Sequence, residues 1–297
     1  MRRFLYACCA VLFAGAVVFS SAGEAWVISV NANLTLALNS YSNNWIGGEA
    51  GSLTWASQLN SSAARQLSAK ALTKNTLKLA FGQTETQNKN TKNWSVPQKS
   101  TDLIDFESLL QLTLGGFVDP FIGLHAISLF ADGSDTLLTR YGNPLDLAES
   151  FGVARTILKG DNANWTARLA GAAHEKFDRW KLQDDGTRKQ LTTTQDGGIE
   201  FVTEAKLVNT AKWATFCSNL KVYEAVISSE AEKLEGTPQA DDWRYPDVNW
   251  ENILALNISK YIMVNVYVQA LYDREIATRA RIKETLGAGL TYTFDKK

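Results

Sequence analysis

The chain has 297 residues, and its 30 lysines and arginines nearly balance its 31 aspartates and glutamates. This balance argues against a nucleic-acid partner, because such proteins carry a strongly basic face. Two of the three cysteines lie within the first ten residues, so a disulfide framework and a cysteine metal site are excluded once that stretch is removed. We expect no cofactor and no metal.

Residues 1–22 have the layout of a secretory signal peptide. Arg2 and Arg3 supply the positive charge, an apolar stretch follows, and small residues offer cleavage after Ala22, with Ala25 as a later alternative. Beyond this stretch no run reaches the ~18 consecutive apolar residues of a helical membrane span. We therefore expect an exported chain that begins near residue 23.

The first segment of the mature chain, residues 28–39, alternates apolar and polar side chains. Its even positions include Ile28, Val30 and Leu34, whereas Asn31 and Asn33 occupy odd positions. A helix would scatter both sets around its surface, so the pattern predicts a β-strand.

Eleven further candidate strands follow. The alternation is clear at 104–114, 262–272 and 282–294, and it is weaker at 51–60, 67–83, 149–158, 164–177, 198–207, 211–227, 247–258 and between 117 and 131. The segment 213–227 is ambiguous, because its apolar residues also fit one face of a helix.

The connections alternate between long polar segments and short ones. The long ones centre on 40–49, 84–101, 131–148, 178–197 and 228–246, the short ones on 61–66, 115–117, 159–163, 208–210 and 259–260, and 273–280 is of medium length. An even strand count with long loops at one end and tight turns at the other is typical of a bacterial outer-membrane β-barrel. The prediction is therefore an all-β fold: a transmembrane antiparallel β-barrel of about 12 strands that spans residues 23–297. Both termini and the short turns are expected in the periplasm of a Gram-negative cell, with the long loops extracellular.

Aromatic residues lie near the ends of the predicted strands, as in the interfacial girdles of membrane barrels. They are Trp45, Trp55, Phe130, Phe151, Trp165, Phe177, Trp213, Trp250, Tyr261, Tyr272 and Phe294. The alternative is that aromatic residues are simply common in strands. A soluble periplasmic β-protein also stays open.

The charged residues with inward parity are the candidate functional set. The predicted lumen-lining residues are Lys78, Asp105, Glu107, Arg168, His174, Lys176, Glu200, Glu204, Lys206, Glu251, Arg281 and Lys283. Their mixed signs are compatible either with a salt-bridged plug or with a narrow polar path, since charged rings set selectivity in pores.

Catalytic chemistry is not expected. His125 and Ser128 fall on opposite faces of one strand, which separates a possible base from a possible nucleophile. The neighbouring carboxylates Asp184 and Asp185 have no calcium-loop spacing and are typical of a solvated loop. We therefore expect that the chain is not an enzyme.

Several segments together resemble a bacterial outer-membrane family catalogued only as a domain of unknown function. They are Asn143–Gly152, Asp247–Leu256, Ser259–Val264, Gln269–Asp273 and Lys283–Phe294, and the resemblance is sharpest after Asp247. The resemblance implies a signal peptide and a β-rich barrel and transfers no site residue. Leu290, Tyr292 and Phe294 also look like the C-terminal signature that barrel assembly machinery reads, although residues 295–297 follow it.

Two functions remain open at this point. The favoured one is passage of small polar or amphiphilic molecules through a monomeric barrel that contacts outer-membrane lipids. The alternative is a structural or surface-interaction barrel that transports nothing and has a plugged lumen. The two differ in whether the lumen is open.

Overall fold

The computed structural model describes residues 25–41, 50–183 and 185–296. The predicted signal peptide at residues 1–22 lies outside the described residues, as do Trp45 and Asp184. Within the described part of the chain, no helix is both long enough and apolar enough to cross a membrane.

Twelve strands of the described chain form one antiparallel sheet that closes into a barrel. The strands are β1 Val27–Asn39, β2 Ser52–Ser68, β3 Ala71–Thr86, β4 Gln98–Leu112, β5 Asp119–Ser128, β6 Leu145–Lys159, β7 Ala163–Leu182, β8 Arg188–Val208, β9 Ala214–Ser228, β10 Asp247–Asn257, β11 Ile262–Asp273 and β12 Ala277–Lys296. One short helix, α1 Ala231–Leu234, and one 3-10 turn, Asp242–Arg244, lie between β9 and β10. Each strand pairs with its neighbours in sequence, and β1 pairs with β12. This architecture confirms the predicted fold class.

The register at the closure of the barrel follows the sequence pattern. Val30 lies opposite Phe294 and Leu34 lies opposite Leu290, so apolar side chains of β1 and β12 share one face. On the other face Asn31 lies opposite Thr293. The period-two alternation therefore continues across the seam and separates an apolar outer wall from a polar inner wall.

Gly289 on β12 marks a close approach between the two strands at this seam. A Cβ atom at this position would stand 2.2 Å from the carbonyl oxygen of Leu34. Only glycine leaves room for such a contact, as expected if the glycines of β12 relieve crowding inside the barrel.

Most predicted connections agree with the observed loops and turns, but two of the predictions were wrong. Residues 61–66 belong to β2, and the turn lies at Ala69 and Lys70. The serines at 61 and 62 suggested a turn, yet polar side chains are also at home in a barrel strand. Ser62 pairs with Thr76 of β3 on the inner face.

The second error concerns the region 178–197, which was expected to be a long loop. Most of its residues extend the β7–β8 hairpin instead, because β7 continues to Leu182 and β8 begins at Arg188. The glycines at 197 and 198 produce a register shift between β8 and β9 instead of a turn. The segment 213–227, which also fitted a helix, is strand β9.

Candidate functional site

All twelve predicted lumen-lining residues have the same parity along the closed register. Lys78 pairs with Asp105, and Glu251 pairs with Gln269, which in turn pairs with Lys283. Contacts between strands that are not neighbours identify this face as the interior. Lys78 on β3 reaches Glu251 on β10 across the barrel, and such a contact can pass only through the lumen.

The first charged group of the lumen lies close to the short turns. The Arg168 guanidinium lies 2.8 Å from a Glu107 carboxylate oxygen and 3.5 Å from Glu204. Lys74 on β3 binds the other oxygen of Glu204 on β8 at 3.3 Å. Four strands are thereby joined through the interior. Arg168 also lies 5.7 Å from the ring of Phe121, which belongs to a small buried cluster.

The second group occupies the middle of the barrel. Lys78 Nζ lies 3.4 Å from Glu251 Oε2 and 3.7 Å from Asp105 Oδ2. His125 Nε2 lies 3.0 Å from the other oxygen of Asp105, and the Tyr267 hydroxyl donates to Glu251 at 2.9 Å. Each carboxylate of this group thus has two polar partners, which offsets its removal from bulk water.

The third group lies nearer to the long loops. Glu200 binds Lys221 at 2.6 Å, and His174 lies between Glu200 and Asp196 at 3.9 and 3.8 Å. The His174 ring stacks on Tyr223 with centroids 3.8 Å apart, and the Tyr223 hydroxyl donates to Asp196. The three groups form a column of charge along the β3–β10 side of the lumen.

The remaining predicted residues stand apart from this column. Lys176 lies 3.6 Å from Asp146, and both side chains are about half exposed. Lys206, Arg281 and Lys283 form no ion pair with any described residue, and all three are exposed. They are therefore exposed cations of the lumen wall that no ion pair neutralises.

A second part of the lumen wall, formed by β1, β2 and residues 285–293 of β12, carries small, uncharged polar side chains, whereas Arg281 and Lys283 stand nearer the long-loop end of β12. In this part of the wall Asn31 donates to Thr291 and Thr293, and Asn33 donates to Asn31. The register adds Thr35, Asn60, Ser62 and Thr285 to this wall. The interior thus combines a charged column with a separate region of small polar side chains.

The loop 129–144 packs against the β7–β8 hairpin at the mouth of the barrel. Arg140 binds Asp132 and, at 2.8 Å, Asp178. Arg188 binds Asp135 at 2.6 Å. Asp178 and Arg188 continue the inward parity of β7 and β8, so these two ion pairs form on the lumen side of the hairpin.

The aspartates of this loop are held in their charged form. Hydrogen bonds from Arg188 and from the Leu137 backbone hold the pKa of Asp135 below its usual range. Burial raises the pKa of Asp132, but hydrogen bonds from Ser134 and its neighbours, together with the Arg140 charge, outweigh it and lower the pKa. The loop is therefore fastened to the hairpin at neutral pH.

Three further reactive side chains are those of His125, Ser128 and Cys217. His125 faces Asp105, whereas the Ser128 hydroxyl donates to the Pro144 carbonyl oxygen. Cys217 is a free thiol of partial exposure. Across the described ranges, no three histidine, cysteine or acidic side chains form a group that fits a metal ion.

The predicted set of lumen-lining residues omits several members of the charged column. Lys74, His125, Asp196, Lys221 and Tyr267 were not in the predicted set, although each has inward parity in the register. A continuous parity assignment through each strand would have found them. It would not have found the pairing of Lys74 with Glu204, since that depends on which strands face each other across the lumen.

One family profile matches part of the chain. A family profile described as a protein of unknown function (DUF3078) matches residues 36–133, a third of the chain. This match confirms the expected resemblance to a family of unknown function. It covers the N-terminal third, whereas the resemblance was expected to be sharpest after Asp247. No curated protein matches the chain.

Solved structures resemble the chain at low identity. The COG4313 outer membrane channel from Pseudomonas putida F1 is 12% identical with a TM-score of 0.44, over 94% of this chain and 98% of that one. The translocator domain of the autotransporter NalP from Neisseria meningitidis is 9% identical with a TM-score of 0.36, over 99% and 96%. The β domain of the Bordetella autotransporter BrkA is 11% identical with a TM-score of 0.33, over 92% and 100%.

Proposed function

We propose that the chain is an outer-membrane β-barrel that provides a narrow, charge-constricted passage for small polar or amphiphilic molecules. The observation that carries the proposal is the divided lumen. Ion pairs cross one part of it, while the wall formed by β1, β2 and residues 285–293 of β12 is lined by small uncharged polar side chains.

The proposed membrane location is supported by the exposed apolar side chains of the outer wall. Large apolar side chains point outwards and are largely exposed, with Leu36 at 64% and Leu286 at 76%. Soluble monomers rarely expose contiguous apolar patches larger than a few hundred Å². A closed sheet in which every backbone group is paired can expose such a wall to lipid without an unpaired edge. Aromatic residues such as Trp165 and Trp213 stand exposed near the turn end, as an interfacial girdle requires.

The proposed passage is supported by the exposure of charged side chains inside the lumen. Although Lys74 and Lys78 take part in cross-lumen ion pairs, their side chains are 40% and 37% exposed. The exposed cations Arg281 and Lys283 stand on β12, where Lys283 Nζ lies 5.9 Å from the Tyr267 ring. A solute would therefore pass between the charged column and the small polar wall, where fixed charges select by sign.

A plugged barrel is the second candidate, and a specific observation favours it. The Arg168 side chain is only 10% exposed and binds carboxylates of two other strands. If the column and the loop at the mouth together fill the lumen, the charges cross-link the walls and transport nothing. The work of the protein would then be done by its extracellular loops.

The proposal includes a location and a set of partners. Residues 1–22 would direct export to the outer membrane of a Gram-negative cell, and β12 would be recognised by the barrel assembly machinery. The barrel would be a monomer that contacts outer-membrane lipids, binds no nucleic acid and has no enzymatic activity.

A liposome-swelling assay tests the passage. The refolded mature chain is incorporated into vesicles, which are diluted into iso-osmotic solutions of small uncharged, anionic and cationic solutes. We expect swelling at rates that depend on solute size and charge. Vesicles that contain folded, inserted protein and swell no faster than empty ones would contradict the passage and favour the plugged barrel.

A further inference from the structure

The outer wall of the barrel contains a groove that runs across β5 to β9. Its volume is about 610 Å³. Ile122 and Phe151 form one side, Val226 and Ile227 form the other, and each of these four side chains is more than half exposed. These apolar groups therefore have little contact with the rest of the barrel.

The groove exists because its floor lacks side chains. Gly171 on β7 pairs with Phe151 on one neighbouring strand and with Ile199 on the other, so it lies on the outward face. A Cβ atom at Gly171 would meet nothing within 4 Å. Ala173 and Gly197 pair next to it and continue the low floor. The register shift at Gly197 brings Ile227 to the edge of the groove.

A single carboxylate lines this otherwise apolar groove. Glu149 on β6 lies opposite Ala173 and has outward parity. No described cation forms an ion pair with it. A charged group on the lipid side of a barrel is costly unless it meets a partner of opposite charge. The groove therefore combines an apolar trough with a carboxylate that has no cationic partner among the described residues.

We propose that the groove binds a membrane lipid that carries an ammonium head group, with an acyl chain in the trough and the ammonium at Glu149. This inference rests on the membrane location in the proposed function. A second copy of the chain fits the groove less well, because a two-fold contact brings the same patch against itself. The two Glu149 carboxylates would then approach each other.

Native mass spectrometry of the purified full chain tests the site. The protein is reconstituted with phosphatidylethanolamine, phosphatidylglycerol and phosphatidylcholine of identical acyl chains, and the lipid retained on the folded barrel is counted. We expect phosphatidylethanolamine to be retained about fivefold better than phosphatidylglycerol, as suits one partly exposed ion pair. Phosphatidylcholine should fall below phosphatidylethanolamine because its head group has no N–H donor.

Two variants and two matched controls separate the parts of the site. Glu149→Gln should abolish the preference among head groups, and Gly171→Leu, which fills the trough, should reduce retention of all three lipids. Glu284→Gln and Ala288→Leu alter outward positions of β12 and should behave like the unmodified chain.

Three outcomes would overturn the inference. They are equal retention of the three lipids, a preference that survives Glu149→Gln, and a dimer whose cross-links map to the groove. If the barrel inserts into bilayers but shows no preference, the lipid site fails while the proposed function stands. If it does not insert, both fail.

Discussion

Lys78 on β3 and Glu251 on β10 form an ion pair across the lumen, with 3.4 Å between Nζ and Oε2. The two strands are not neighbours in the sheet, so the pair joins two separate parts of the wall. Tyr267 donates to the second oxygen of Glu251 and fixes the orientation of that carboxylate. This pair is the middle of the charged column and should dominate the ion selectivity of the passage.

Neutralising Glu251 should shift selectivity towards anions. In Glu251→Gln the Lys78 ammonium keeps Asp105 as its remaining ion-pair partner, so the net charge of these three groups rises from −1 to 0. A unit charge at about 4 Å is worth roughly 1 kcal/mol in a water-like medium, which is about a fivefold change in the permeability ratio. The measurement is the reversal potential in a salt gradient. Glu284→Gln, an outward carboxylate on β12, is the control, and an equal shift in both variants would contradict this role.

A charge on the outer wall should destabilise the barrel in a bilayer. Leu36→Arg places a guanidinium where an exposed leucine faces lipid. Such changes cost about 2–4 kcal/mol near the midplane of the membrane. The free energy of unfolding is measured by guanidinium titration in phospholipid vesicles. Thr285→Arg, at an exposed inward position, should cost less than about 1 kcal/mol. Equal losses would indicate that the outer wall faces water.

The glycine at the seam should be intolerant of a methyl group. Gly289→Ala brings a Cβ atom against the Leu34 carbonyl oxygen, and overpacking of this kind costs roughly 1–3 kcal/mol. Gly171→Ala adds the same methyl group to open space and should change stability by less than about 0.5 kcal/mol. Thermal unfolding of the two variants, followed by the loss of the folded band on unheated gels, makes the comparison. Similar shifts in both would be evidence against the close approach.

The loop at the mouth should be released by acid. Because Asp135 has a folded-state pKa below its unfolded value, its ion pair with Arg188 stabilises the closed loop above the unfolded pKa of about 3.9. That contribution is lost as the pH falls through the folded pKa. Limited proteolysis of residues 129–144 should therefore increase below about pH 4.

A substitution should reproduce this release at neutral pH. Arg188→Gln should raise the rate of cleavage within residues 129–144 several-fold. Lys189→Gln alters the next residue, which pairs with Lys181 instead of contacting the loop, and should leave cleavage unchanged. A loop that stays equally protected in Arg188→Gln would show that this ion pair does not hold it.

The sequence pattern predicts the barrel well because the signal has a period of two. In β1 and β12 apolar and polar residues mostly alternate, with exceptions such as Glu284, and the observed pairing of Val30 with Phe294 keeps both sets on their faces. The boundaries were less predictable. Ser61 and Ser62 look like a turn, but a strand with one polar face accepts them.

The contacts within the lumen could not be predicted from the sequence. Parity places Glu204 and Lys78 inside, but it does not indicate that Glu204 meets Lys74 from a strand five positions away. That contact depends on the tilt and closure of the whole sheet. The fastening of the loop by Arg140 and Arg188 is equally non-local, since its partners belong to β7 and to the loop itself.

Single-channel recording of the refolded mature chain in a planar bilayer tests the central proposal most directly. The proposed passage predicts discrete conductance steps that rise with salt concentration and change ion selectivity in Glu251→Gln. Sustained silence from protein that is shown to be folded and inserted would contradict the passage and leave a barrel whose lumen is closed by its own charges.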